Sequence, residues 1–282
     1  MISRKKGKEF WKSFTWKTVV YLLLIVIAFF MVLPFYWSFV SSVRPNSESI
    51  LDVSFWPKEW TWEHYQNIFI DIPLAQYFLN TAIITAMGMF TNLFFCSLAG
   101  YALAKFRFPG RNIILNIFLI SMMIPGIVFL VPQYIVTAKL GFVDTFWGVV
   151  LPGAIGVYGI LFIRQFFLSI PNDFAESARL DGAGELRIFV QIYFRMVIPG
   201  LITLGIFTFN SYWNSFLWPN IVLMDESKAV LSVALKNYQI FYSDNMGPLM
   251  ACSILMGIPV FIVYIVGQKY FVNNMSFSGI KG

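Results

Sequence analysis

The chain has 282 residues, of which 58% are hydrophobic, 19% aromatic and only 12% charged, with a formal net charge of +6. An ordinary soluble domain carries about a quarter charged residues, so this composition excludes one and describes an integral membrane protein. The basic excess does not indicate nucleic acid, because the lysines and arginines lie at the ends of apolar runs and form no single patch.

Residues 1–17 form a basic N-terminus with Arg4, Lys5, Lys6, Lys8, Lys12 and Lys17, and an apolar run follows over 18–43. The start is like that of a signal peptide. The run is too long for a cleaved hydrophobic region and lacks a small-x-small cleavage site, so a retained first transmembrane helix is expected. Pro34 falls inside it, where neighbouring helices can accommodate a kink. Residues 44–76 mix Trp56, Trp60, Trp62 and Tyr65 with acids and read as an external loop with short interfacial helices, the tryptophans suiting the headgroup level. His64, the only histidine, has no partner at ligand spacing and reads as an ordinary residue of that loop.

Residues 77–272 hold five further spans, expected at 77–104, 113–136, 145–163, 196–219 and 248–271, and a tail over 273–282 follows. Pro125 and Pro132 interrupt the third span of the chain. Cys96 and Cys252 lie inside spans with no second cysteine near either, so neither a disulfide nor a metal site is expected. The expected fold is all-α with six transmembrane helices and both termini on one side. Fifteen of the twenty basic residues fall on the side of the termini and five on the other. Short cytoplasmic loops are enriched in Lys and Arg, so the termini are expected in the cytoplasm.

Between the fourth and fifth spans, over 168–195, the sequence turns polar. Asp173, Glu176, Arg179, Asp181, Glu185, Arg187 and Arg195 would together cost about 20 kcal/mol at bilayer depth, at roughly 2.5 to 3.5 kcal/mol each, so the segment must sit in water. Asn172 or Asp173 can N-cap a short helix after Pro171, and Glu176 falls in its first turn, where the helix dipole favours an acid. Ala175, Ala178 and Gly182 make a stripe of small side chains, while Gly182 and Gly184 can break the helix and start another. The stripe permits close packing, either against the chain's own bundle or against a partner.

Several chemistries are absent from the sequence. It contains no G-x-x-x-x-G-K-[ST] loop, no G-x-G-x-x-G and no H-E-x-x-H, so no enzyme activity is expected of this chain alone. The span interiors hold no Asp, Glu, Lys or Arg, which argues against an ion-coupled carrier. Work for transport would have to enter through a partner.

Glu176-Ser177-Ala178 followed by Gly182, Ile192 and Pro199 resembles the EAA loop of the membrane-spanning permease subunits of bacterial ABC importers, and Leu180-Asp181-Gly182-Ala183 strengthens the match. Trp213-Asn214-Ser215-Phe216-Leu217-Trp218-Pro219 and the ending Gly279-Ile280-Lys281-Gly282 are similar to the carbohydrate-uptake branch, which includes the smaller permease of the maltose transporter. The resemblance covers about residues 18 to 282. It departs at Ser177, where the family has a second alanine, and at Arg195, where a proline is usual. It implies residence in the bacterial cytoplasmic membrane, a second permease subunit, two cytoplasmic ATPase subunits that bind ATP and Mg, and an extracytoplasmic solute-binding protein. Glu176, Ser177, Ala178, Asp181 and Gly182 would then couple to an ATPase, with Lys281 and Gly282 reaching its interface.

Asn80, Asn92, Gln133, Asn210, Tyr212 and Asn214 are hydrogen-bonding side chains within the spans. All but Asn92 are expected along a substrate pathway. A lining of amides and aromatics suits a neutral, hydroxyl-rich solute such as a sugar, although such side chains also commonly bond neighbouring helices. Another neutral solute, or a docking or sensor subunit without a pathway, would fit the same architecture.

Overall fold

The computed structural model describes residues 2–45, 55–241 and 246–278. Fourteen α-helices run through them: α1 (Ile2–Ser42), α2 (Glu63–Asp71), α3 (Leu74–Lys105), α4 (Arg111–Met122), α5 (Leu130–Lys139), α6 (Phe146–Val150) and α7 (Val157–Ser169), then α8 (Asp173–Leu180), α9 (Glu185–Ile188), α10 (Phe194–Met196), α11 (Ile198–Trp213), α12 (Leu217–Val222), α13 (Leu231–Phe241) and α14 (Met246–Ser278). No strand occurs among the described residues.

Three stretches are long and apolar enough to cross a bilayer alone: Trp16–Ser42, Leu74–Lys105 and Met246–Lys269. Three bent pairs reach that length together, so up to six spans are present. The breaks follow from backbone chemistry. Arg111–Met122 and Gly126–Lys139 meet at 100° beside Pro125; Phe146–Gly153 and Val157–Ser169 meet at 49° after Pro152 and Gly153; Glu185–Met196 and Ile198–Trp213 meet at 74° just before Pro199. The third, fourth and fifth spans are thus discontinuous. The fourth also runs past the expected end at 163, to Ser169, and the fifth helix stops at Trp213 with the separate α12 beyond it. The last helix continues through the expected start of the tail to Ser278.

The chain divides into two compact units, Met1–Ile72 with Tyr238–Leu255, and Pro73–Asn237 with Met256–Gly282. In the first, α1 passes Pro34 as one helix, and Trp16–Ser42 is apolar and largely exposed on all sides, the surface a bilayer would cover. His64 is buried, where its Nε2 donates to the Arg44 carbonyl at 2.7 Å, so it fastens the end of α1 and does not sit open in a loop. Thr61 N to Val43 O (2.8 Å) and Tyr238 Oη to Asp71 Oδ2 (2.9 Å) complete the same folding-back.

In the second unit α3, α7 and α11 pack around Cys96, Tyr101, Ile160, Ile163, Phe167 and Leu204, all buried. Residues 222–231 close one end of this bundle. Asp144, in a left-handed conformation (φ 59) that an aspartate tolerates, accepts the backbone N–H groups of Met224 and Asp225 at 3.0 Å each, and pairs with Lys228 Nζ at 2.6 Å. The Lys228 contact, followed by the Asp225 backbone bond, holds the Asp144 carboxyl down to about 2. From α3, the Asn80 amide donates to the Ser227 and Ala229 carbonyls at 2.9 and 3.0 Å, and Thr81 Oγ1 accepts from Leu231 N at 2.9 Å.

Candidate functional site

A cavity of about 400 Å³ opens within the second unit, and the break in the fourth span forms part of its wall. Breaking a helix frees backbone carbonyls, and here neighbouring helices supply donors. Tyr212 Oη on α11 donates to Val150 O at 3.0 Å, and Asn92 Nδ2 on α3 donates to Gly153 O at 3.0 Å. The Cys96 thiol reaches Gly156 O at 3.4 Å. Asn92 Oδ1 in turn accepts from Thr208 Oγ1 at 3.3 Å, so α3, α11 and the broken span form one network. The Tyr212 ring fits because positions 88 and 153 are glycine, since a Cβ at either would collide with it. Phe207, Tyr158 and Trp218 add aromatic surface, and no Asp, Glu, Lys or Arg lines the cavity.

The residues expected along a pathway divide. Gln133 and Tyr212 line this cavity. Asn80 does not, because both its donor contacts hold the 227–229 turn. Asn210 lines a smaller cavity of about 220 Å³ beside Tyr264 and Gln268, and its Oδ1 accepts from Asn214 Nδ2 at 2.9 Å. Tyr158, Thr208, Ser211, Ser215 and Trp218 also line the main cavity, and sequence reading passed over them. Ser211 and Ser215, four apart beside Tyr212, were the available signal.

The polar segment forms α8, whose end is closed by two backbone bonds: Gly182 N to Arg179 O at 3.0 Å and Ala183 N to Ala178 O at 2.9 Å. This pattern requires a left-handed residue at position 182, and Gly182 has φ 81. The small stripe turns inward. Ala175 is buried and Ala178 half-buried against the chain's own core, while Glu176, Ser177, Asp181 and Gly182 are exposed, next to Leu180 at 90% and Leu186 at 74% exposure. Asn172 occupies the N-cap position but its side chain does not cap the helix; its Oδ1 instead accepts from Lys105 Nζ at 2.9 Å. Lys105 also donates to Ile170 O at 2.6 Å and lies 4.9 Å over the Tyr193 ring. Further along, Arg179 pairs with Glu185 at 2.7 Å and Tyr101 Oη donates to Glu185 Oε2 at 3.4 Å. The last residues of α3 therefore fasten the loop at its entry and its exit. Arg195 is exposed in α10, and the backbone turns at Val197 with Pro199 following. Lys281 and Gly282 lie outside the described residues. Among the described residues no group of three or more His, Cys, Asp or Glu could hold a metal ion.

Bent apolar helices around an uncharged cavity, fastened to a polar loop, define a membrane transport component. The chain belongs to the family described as binding-protein-dependent transport system inner membrane component, whose model matches residues 96–277. It is a multi-pass membrane protein of a transport system and not an enzyme. It is 32% identical to the arabinooligosaccharides transport system permease protein AraQ of Bacillus subtilis, over 93% of this chain and 94% of that protein. It is 30% identical to the diacetylchitobiose uptake system permease protein NgcG of Streptomyces coelicolor, over 90% and 85%. Among solved structures, it is similar to a chain of a bacterial ABC transporter involved in the import of the acidic polysaccharide alginate, with a TM-score of 0.80, 28% identity and coverage of 91% and 96%.

Proposed function

We propose that this chain is the membrane-spanning permease subunit of an ATP-driven ABC importer for a sugar or oligosaccharide. The observation that carries this reading is the family match over 96–277, which takes in most of the cavity lining and the whole polar loop. The carbohydrate names of AraQ and NgcG support the substrate class. On this reading the chain crosses the bacterial cytoplasmic membrane six times, with both termini and the 171–195 loop in the cytoplasm, as the distribution of basic residues favours. Residues 44–76 face outward, and 77–272 form the permease core.

The loop docks on a cytoplasmic ATPase subunit, one of two that bind ATP and Mg, while a solute-binding protein delivers solute from outside and a second permease completes the pathway. Glu176 and Ser177 present polar contacts, Asp181 and Gly182 shape the turn, and Ala178 holds the helix against the bundle behind them. The Lys281–Gly282 tail reaches the same interface. Solute passes along the cavity lined by Gln133 and Tyr212, while Asn80 holds the 227–229 turn and Asn210 and Asn214 bond each other beside the smaller cavity.

Reconstitution of the complete complex in vesicles tests this. Labelled oligosaccharide should accumulate when ATP is supplied on the cytoplasmic side, and omitting this chain should abolish accumulation. Accumulation without it would overturn the reading.

A further inference from the structure

The polar side chains of the main cavity fall into two sets. Asn92, Thr208, Tyr212 and Trp218 direct their donors to protein acceptors: the Gly153 carbonyl, the Leu204 carbonyl with Asn92 Oδ1, the Val150 carbonyl, and the Gly148 carbonyl. The side chains of Gln133, Tyr158, Ser211 and Ser215 make no hydrogen bond to any described residue. They come from separate elements, the third span, the start of α7, the end of α11 and the turn that follows it, and converge on one space.

Each of the four carries a group that both donates and accepts, as a sugar hydroxyl does. Tyr158 and Phe207, with ring centroids 6.2 Å apart, add an apolar wall. An ionised solute would meet no opposite charge here and would lose hydration without compensation. A binding site discriminates most strongly through polar groups that the wrong solute leaves unpaired.

We propose that Gln133, Tyr158, Ser211 and Ser215 are the specificity-determining contacts through which this chain selects a neutral, hydroxyl-rich solute, and that Asn92, Thr208 and Tyr212 are positioning residues that hold the broken span in place. The proposal rests on the transport reading above. It separates residues by which hydrogen bonds they have left to give, and it assigns Tyr212 to the frame of the cavity and not to solute contact.

The test uses the complete complex in vesicles with a panel of labelled neutral pentose and hexose oligosaccharides and one uronate trisaccharide. Each variant's rate is divided by the wild-type rate for the same sugar. Tyr158→Phe combined with Ser211→Ala should cut uptake of the best neutral sugar at least tenfold while basal ATP hydrolysis is retained. Ser211→Lys should raise the uronate-to-neutral ratio at least tenfold. Asn92→Leu has a similar shape and adds no charge but loses the donor to Gly153, and should slow all panel members alike without changing their ratios. If the double variant is poorly assembled, Gln133→Leu and Ser215→Ala give the same reading singly. Wild-type rates and ratios in assembled variants would overturn this assignment and leave the transport reading standing. A wild-type complex that moves no member of the panel would overturn the carbohydrate reading, and this proposal with it.

Discussion

At the scale of single residues, two positions carry conformations that few side chains adopt. Gly182, at φ 81, closes α8, and a Cβ there would meet open space. A substitution therefore acts through the backbone, at about 1–2 kcal/mol for a residue forced into the left-handed region, and not through a clash. Gly182→Asn should be tolerated best, because asparagine visits that region readily, and uptake by Gly182→Asn should exceed that by Gly182→Val. Asp144 is the second position. Its carboxyl titrates at about 2, below its ordinary 3.8, so it stabilises the 222–229 turn fully above about pH 4 and loses that contribution as pH falls toward 2. Hydrogen exchange at Met224 and Asp225, corrected for intrinsic rates, should be unchanged from pH 8 to 5 and accelerate below 4. In Asp144→Asn the acceleration should already be present at pH 7. A transition near pH 6 would contradict this account of the turn.

At the scale of elements, α3 packs against α7 and α11 and fastens three further segments. Asn80 and Thr81 hold the 227–231 segment, Asn92 holds the break in the fourth span, and Tyr101 and Lys105 hold the polar loop. Lys105→Met would strip a donor from the Ile170 carbonyl and from Asn172 Oδ1, a loss of about 1–3 kcal/mol where the carbonyl is left unpaired. Faster exchange over 170–176 is expected, with Lys105→Arg restoring most of the protection. No difference between Lys105→Met and the unaltered protein would remove α3 as the anchor of the loop.

The apolar runs were legible in the sequence because a span needs about 20 apolar residues, and Pro125 marked one break. The bend angles were not legible, since they depend on which neighbouring side chains take up the freed carbonyls. The same gap explains the cavity. Asn80 and Tyr212 look alike in a list of polar residues within spans, and only the packing shows that one holds a turn while the other lines a cavity. Of the expected stripe, Ala175 and Ala178 turn inward while Gly182 lies beyond the end of α8 and is exposed, and periodicity could not say whether that face met a partner or the chain's own bundle.

For the whole molecule, the account is one of division of labour. On the proposed function this chain supplies spans, a cavity and a docking loop, and a partner supplies the energy. Its orientation is itself testable, since an N-terminal tag should be reached by a membrane-impermeant label only after the membrane is opened. Labelling in intact cells would reverse the assignment and leave the loop on the wrong side for ATP. The central claim is that the loop converts ATP hydrolysis into solute movement. Uptake and ATP hydrolysis measured side by side in the same vesicles, for the unaltered complex and for Gly182→Val, test it most directly. The prediction is that Gly182→Val stays in the membrane and that its complex hydrolyses ATP without accumulating solute, because a β-branched residue is strained at φ 81; uptake equal to that of the unaltered complex would contradict it.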